Sequence, residues 1–294
     1  MAGARDVLVV GDLLVDVVVV PSGPLEHASD VPSRVRAGGG GSAANTACWL
    51  ASTGHPATLV AMVGDDALAP GALADLEAAG VTFAGAVAPG AATGTCIVLV
   101  DPDGERTMLP DRGANDRLDP SLVVGALEDR AAAWVHLSGY TLLDEGSRPA
   151  GQAALERARR LGIPVSVDAS SAGPLRHVGA AAFLGWIDGI HLLFANDDEV
   201  AALGGEAACL PHVDALVAKH GPAGASWVTA DGRTSVPAEP VTLVDTVGAG
   251  DALDAGVIAA VLDGADPRDA LAAGTRLAAQ AVSRPGARPP HRPG

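Results

Sequence analysis

The chain has 294 residues, 48% hydrophobic and 18% charged, with 19 Lys and Arg against 35 Asp and Glu, for a net charge of −16. So apolar a chain offsets its ordering entropy by burial, which excludes intrinsic disorder and suits one large α/β domain or two small ones. The acidic balance excludes nucleic acid and anionic membrane as expected partners, since both need a basic face. Residues 1–16 carry no signal-peptide pattern, because Asp12 and Asp16 interrupt the apolar stretch. The longest uncharged apolar helical run, 255–262, is far short of a membrane span. Cys48, Cys96 and Cys209 are odd in number and too scattered for a disulfide framework or a metal site. A soluble, reduced, cytoplasmic protein is expected.

Short β-branched runs alternate with Ala/Leu-rich stretches. Strands are expected at 7–10, 58–63, 134–137, 164–168, 189–194, 225–229 and 241–244. Helices are expected at 43–53, 70–79, 120–130, 149–161, 198–203, 249–263 and 267–282. This alternation predicts a mostly parallel sheet with helices on both faces, and ligands at the carboxyl ends of its strands. Two stretches break the rhythm. Residues 13–20 are apolar on both faces at period two, and 95–101, the turn Pro102-Asp103-Gly104 and 105–109 read as a hairpin. They predict a small β sheet apart from the α/β body, with an outer apolar face that a second subunit would cover.

The strongest chemical signal is Asp245-Thr246-Val247-Gly248-Ala249-Gly250-Asp251, between the expected strand 241–244 and a helix. Two glycines let backbone N–H groups converge at a helix N-terminus, an anion-binding arrangement. Asp251 beside that site reads either as a base for phosphoryl transfer to a hydroxyl or as an ordinary first-turn acid. A second signal is Gly38-Gly39-Gly40-Gly41-Ser42-Ala43-Ala44-Asn45, either a close-approach loop for a ligand or a flexible loop and helix cap. Gly38, Gly40 and Ala43 fit a dinucleotide fingerprint literally, but the required preceding strand is not expected across 32–37, which holds Pro, Ser and two Arg. Nor does a Walker lysine follow.

Asp16 sits inside an otherwise apolar strand, where a carboxylate is costly unless wet or partnered. It marks either a hydroxyl-rich ligand or a solvated strand edge. Asn196 and Glu199 read as a capping box or as a pair ordering water around a phosphate-bound Mg²⁺. Lys219-His220-Gly221-Pro222-Ala223-Gly224 reads as a tight turn, with a nucleotide border as the alternative. His136 and His191 are assigned to core or rim, and Arg106 and Arg112 to solvated surface rather than to an anionic substrate.

Taken in this order, the segments resemble the ribokinase-like (PfkB) carbohydrate kinases. The resemblance spans nearly the whole chain and rests on two motifs about 200 residues apart, Gly40-Gly41-Ser42-Ala43-Ala44-Asn45 and Asp245–Asp251. It implies a ribokinase-like α/β domain over 1–294, with lid segments at about 13–37 and 93–113, that phosphorylates a sugar hydroxyl using ATP and Mg²⁺. It implies that Asp251 is the catalytic base and that Gly248, Ala249 and Gly250 form the anion hole. Asp16, Gly40, Gly41, Ser42, Asn45 and Ser138 would meet the sugar. Asn196, Lys219, Gly221, Gly224 and Thr275 would meet the nucleotide, with Glu199 reaching Mg²⁺ through water. A K⁺ site is similar in outline around Asp245, Val247, Ala281, Arg284 and Gly286, though Pro290 departs from it. Leu14, Ser138 and Leu253 depart from ribokinases proper, which puts the substrate in doubt.

The reading is therefore ATP-dependent phosphotransfer to a small sugar or sugar acid by a cytoplasmic homodimer. A nucleoside kinase is less favoured, since eight aromatic residues are scant for stacking a base. A nicotinamide dehydrogenase built on 38–43 and a ligand-binding protein without turnover are the rivals from other classes.

Overall fold

A computed structural model describes residues 6–101 and 106–290. Its main sheet has nine strands in the spatial order Gly232–Val236, Ala225–Thr229, Val213–Lys219, Ile190–Asn196, Val165–Asp168, Ala132–Ser138, Asp6–Val10, Ala57–Val60 and Thr82–Phe83. The seven from Val213–Lys219 onward run parallel, and the other two add an antiparallel edge. Val7, Leu8, Val9 and Val10 are all fully buried, as a continuous apolar run must be when helices cover both faces. One apolar cluster gathers around helices Ser42–Thr53, Ala249–Leu262 and Pro267–Val282, and a second around Pro120–Asp129 and Arg148–Leu161. Strand order reverses beside Asp6–Val10, so the crevice at the carboxyl ends opens there.

A separate four-stranded sheet, in the order Ser33–Gly40, Leu14–Pro21, Gly94–Val100, Arg106–Asp111, stands apart from the body. The expected turn at 102–104 lies outside the described residues. Among the described residues, no helix is long and apolar enough to cross a membrane.

Most expected elements form within a residue or two of their bounds. Three expectations need correction. Residues 241–244 are not a strand: the segment leaves the sheet edge past Pro237 and Pro240, which lack the N–H a ladder needs, and Leu243 is 64% exposed. The expected strand 58–63 breaks into Ala57–Val60 and Met62–Gly64, the latter pairing with Ala86–Ala88. Of residues 32–37, read as strandless, all but Pro32 belong to the strand Ser33–Gly40, which pairs antiparallel with Leu14–Pro21 over eight residues. The glycines of 38–40 thus end a lid strand and do not form a dinucleotide loop after a parallel core strand. Val213–Lys219, Gly232–Val236 and the helices Ala172–Val178 and Ala180–Trp186 had no expected counterpart.

Candidate active site

The site is assembled where the first core strand hands over to the second sheet. Gly41 caps helix Ser42–Thr53 at φ 92°, a conformation that needs glycine. Gly40 is required for a different reason, since a Cβ there would lie 2.0 Å from Asp16 Oδ1. Two turns of chain far apart in sequence then meet. Ser42 Oγ donates to Asp251 Oδ1 at 2.8 Å, and Asn45 Nδ2 donates to Asp251 Oδ2 at 2.9 Å.

Asp251 stands in the first turn of helix Ala249–Leu262, whose N-cap Gly248 has φ 77°. A Cβ on Gly248 would strike the Ala287 carbonyl at 2.4 Å, so the turn and the C-terminal segment are packed against each other. The first N–H groups of a helix lack intrahelical acceptors and carry its positive end. Of these, Ala249 N–H makes only a long bond, 3.4 Å to the Thr246 carbonyl. Burial pushes the Asp251 carboxyl up to about 7, with the nearby Asp168 charge adding to the rise and the Asn45 and Ser42 hydrogen bonds opposing it. That range suits a group that must take a proton near neutrality.

Beneath Asp251 lies a buried charge cluster. Lys219 Nζ is 2.8 Å from Asp168 Oδ2 and 3.4 Å from Asp254 Oδ1. Lys219 and Asp168 are the last residues of the two strands that flank Ile190–Asn196 in the main sheet, and Asp254 lies one helical turn beyond Asp251. Against burial, Lys219 holds Asp168 at about 2, while burial pushes Asp254 well above the carboxylate range. Asp168 and Asp254 escaped the sequence reading, although the i, i+3 spacing of Asp251 and Asp254 marks one helix face. Lys219 is not part of the exposed turn; it is the last residue of its strand, and a Cβ on Gly250 would lie 3.3 Å from its Nζ.

The remaining residues fall around this centre. Asp16 is buried on the second sheet, and burial pushes it up to about 6, with Arg288 opposing the shift. Arg288, also missed, donates from Nε to Asn45 Oδ1 at 3.2 Å and from Nη2 to the Gly40 carbonyl at 2.8 Å. By accepting that bond, the Asn45 carbonyl is fixed and its amide is turned onto Asp251. No periodicity flagged Arg288, because it comes from an irregular segment. Ser138 is fully buried, 3.5 Å from Ser170 Oγ, itself at a left-handed φ of 71°.

Asn196 and Glu199 bond reciprocally in a capping box, Glu199 N–H to Asn196 Oδ1 at 2.9 Å and Asn196 N–H to Glu199 Oε2 at 2.8 Å. Burial, with Asp168 adding, pushes Glu199 up to about 7. A cation held through water would ease that burial, so the pair fits an outer-sphere role toward Mg²⁺. Gly221 and Gly224 bound a short turn after Lys219, both at positive φ, and Thr275 is buried with its hydroxyl on the Ala272 carbonyl at 3.2 Å. Among the described residues, no cluster of three His, Cys, Asp or Glu has the placement to hold a metal directly.

Of the residues expected around K⁺, Asp245 has its carboxylate engaged by other groups. The Asp245 carboxylate accepts from Val247 N–H and Gly286 N–H at 3.0 Å each, and pairs with Arg36 at 3.0 Å and Arg106 at 2.8 Å. Four donors, two of them cationic, occupy its oxygens. This also corrects the assignment of Arg106 and Arg112 to solvated surface. Their side chains are 18% and 13% exposed, and Arg112 is within 3.4 Å of Asp116 and Asp144. His136 is buried, as expected, with Nδ1 2.9 Å from Ser166 Oγ, and His191, exposed near the start of its strand, accepts from Val165 N–H at 3.2 Å.

With this geometry in hand, the chain matches the model of the pfkB family carbohydrate kinases over residues 4–293. The chain belongs to that family. It is 38% identical to an ATP-dependent ribose-1-phosphate kinase of Halopiger xanaduensis, over 86% of this chain and 83% of that one. Its fold is similar to adenosine kinase from Sinorhizobium meliloti, with TM-score 0.84 and 24% identity over 98% and 96% of the two chains. It is also similar to a provisionally assigned ribokinase II of E. coli in complex with ATP and Mg²⁺, with TM-score 0.81 and 24% identity over 96% and 94%. The fold is therefore ribokinase-like, and the chain is a carbohydrate kinase.

Proposed function

We propose that this chain transfers the γ-phosphoryl group of Mg·ATP to a hydroxyl of a small sugar or sugar acid, with Asp251 as general base. The observation that carries this reading is the Asp251 carboxylate, held by Ser42 and Asn45 at 2.8 and 2.9 Å in the first turn of a helix whose N-terminus faces the same point. A base within reach of a hydroxyl, beside converging N–H donors, is what in-line phosphoryl transfer requires. Asp251 would accept the hydroxyl proton as that oxygen attacks. The N–H groups of Ala249, Gly250 and Asp251 would meet the charge on the transferred group. Asp16, to whose carboxylate no donor is bonded among the described residues, would accept from a second sugar hydroxyl. Asn196 and Glu199 would hold Mg²⁺ through water, and the ion supplies charge neutralisation on the phosphates. Lys219, Gly221, Gly224 and Thr275 border the nucleotide side.

The test is ADP release with Mg·ATP across pentoses, hexoses, keto-deoxy acids, sugar phosphates and nucleosides. Sugar phosphates join the panel because the Halopiger relative is named for one. A substrate whose turnover vanishes in Asp251→Asn supports the reading. ATP binding with no turnover on any acceptor would make the chain a binder, and turnover on nucleosides alone would make it a nucleoside kinase.

The second sheet also supports a homodimer. Strand alternation puts Val35, Ile97 and Leu109 on the sheet face away from Asp16, and they are 63%, 44% and 51% exposed. Light scattering at twice the chain mass supports this, and a monomer contradicts it. Cys48, Cys96 and Cys209 are free and buried, which fits a reducing cytoplasm.

A further inference from the structure

The arginines of the second sheet collect in one place. On this sheet Asp16 pairs with Gly38, Val18 with Arg36 and Val20 with Arg34, while Val100 pairs with Arg106. Directly opposed residues share a face, as do residues two apart on a strand. Asp16, Arg36 and Arg34 therefore lie on one face, and Arg36 stands two residues, about 7 Å, further along the strand than Asp16. Arg106 comes from the opposite edge strand and meets Arg36 at the same carboxylate, Asp245, at 2.8 and 3.0 Å. Between this face and residues 244–247 is a cavity of about 440 Å³. Its walls are Val18, Val20, Val100, Val247 and Pro285, with Arg34, Arg36, Arg106 and Asp245 as the charged lining.

The charge of that lining runs against the rest of the molecule. In a chain of net charge −16, three guanidinium groups here face one carboxylate. Two positive charges are left over, which match the near-dianionic charge of a phosphate monoester better than a single carboxylate. Planar guanidinium groups on apolar walls also suit bidentate recognition of phosphate oxygens. The cavity begins at Val18 and Arg36, the next pair on the same face of the sheet after Asp16 and Gly38.

We propose that this cavity is a subsite for a phosphate monoester carried by the acceptor sugar, at the end remote from the hydroxyl that Asp251 serves. The proposal rests on the kinase reading for the position of that hydroxyl. Asp16 holds the sugar ring, Arg36 and Arg106 take the ester oxygens, and Arg34 closes the outer rim. The substrate is then a sugar phosphate and the product a bisphosphate.

The test is calorimetric titration of the full chain with ribose 1-phosphate, ribose and ribonate, beside ADP release with the same compounds. Ribose 1-phosphate is expected to bind about 10–100-fold more tightly than ribose, the range for hydrogen bonds to a charged group. Arg36→Met and Arg34→Met, both at exposed positions, are each expected to lose about 10-fold or more in affinity for the ester. Equal binding of ribose and ribose 1-phosphate would overturn the subsite, as would variants that lose ester and ribose affinity equally. Tighter binding of ribonate than of the ester would overturn the phosphate assignment. Tight ester binding without ADP release would leave the subsite standing and sink the kinase reading instead.

Discussion

Two charged regions flank Asp251, and they are built differently. Beneath it, Asp168 and Asp254 are buried, and Lys219, 12% exposed, bonds to both at 2.8 and 3.4 Å. Facing the second sheet, Asp16 is without a bonded donor among the described residues, and Arg36 is 48% exposed beside a single shared carboxylate. The first region directs its charges at one another, with only Asp254 Oδ2 of the paired groups left without a partner among the described residues. It fixes the strand ends and the helix that carries Asp251. The second keeps charge and donors at the mouth of a cavity, where a ligand can use them. A buried network rigidifies its surroundings, whereas an incompletely paired one is disposed to bind.

Substitutions on the two sides should therefore fail in different ways. At the junction itself, Asp251→Asn is expected to lower kcat by about 10²–10⁴-fold with substrate affinity kept, as loss of a general base does. Steady-state kinetics with the best acceptor checks this. In the buried region, Lys219→Met is expected to cost about 3–5 kcal/mol of stability by leaving Asp168 buried and unpaired. Urea unfolding would show it, and a variant as stable as the parent would break the contrast. In the open region, Asp16→Asn is expected to raise KM by about 10–100-fold with stability nearly unchanged.

The pH dependence sharpens the same contrast. Burial raises the Asp251 carboxyl to about 7, so between the ordinary carboxylate range and that value the folded chain holds a proton the unfolded chain releases. Its contribution to stability is present at acid pH and is lost as pH rises through about 7. Asp251→Asn, which carries no such charge, is expected to melt higher than the parent at pH 8, by about 2–4 °C for each kcal/mol recovered. The smallest effect concerns K⁺: with the Asp245 oxygens taken by four donors, replacing K⁺ by Na⁺ at constant ionic strength is expected to leave the rate unchanged.

How much of this was legible in the sequence depends on what each residue reports. Most of the parallel strands and their helices declared themselves through apolar runs and caps, Val213–Lys219 being an exception, and the Asp245–Asp251 turn through its glycines. Asn45 and Asp251 were each singled out, but their hydrogen bond joins residues 206 positions apart, which no local pattern reveals. Arg106 looked like surface because charge on a short strand does not say what stands opposite, and Arg36 drew no reading of its own. Only the register of the second sheet brings both onto Asp245. The run 241–244 misled in the other direction, being β-branched yet left without a partner strand past two prolines. Arg288 sits beside Asn45 because Gly39 leaves room, a consequence of packing and not of spacing.

The most direct test of the account is the pH profile of kcat between about pH 5.5 and 9 for the parent and Asp251→Asn, measured on the best acceptor of the panel. The account requires the parent rate to rise with pH on a single limb with its midpoint near the value that burial gives Asp251, about 7, and the variant to be slow and flat. A parent profile flat across that range, or a variant that keeps both the limb and the rate, would contradict the assignment of Asp251 as the base.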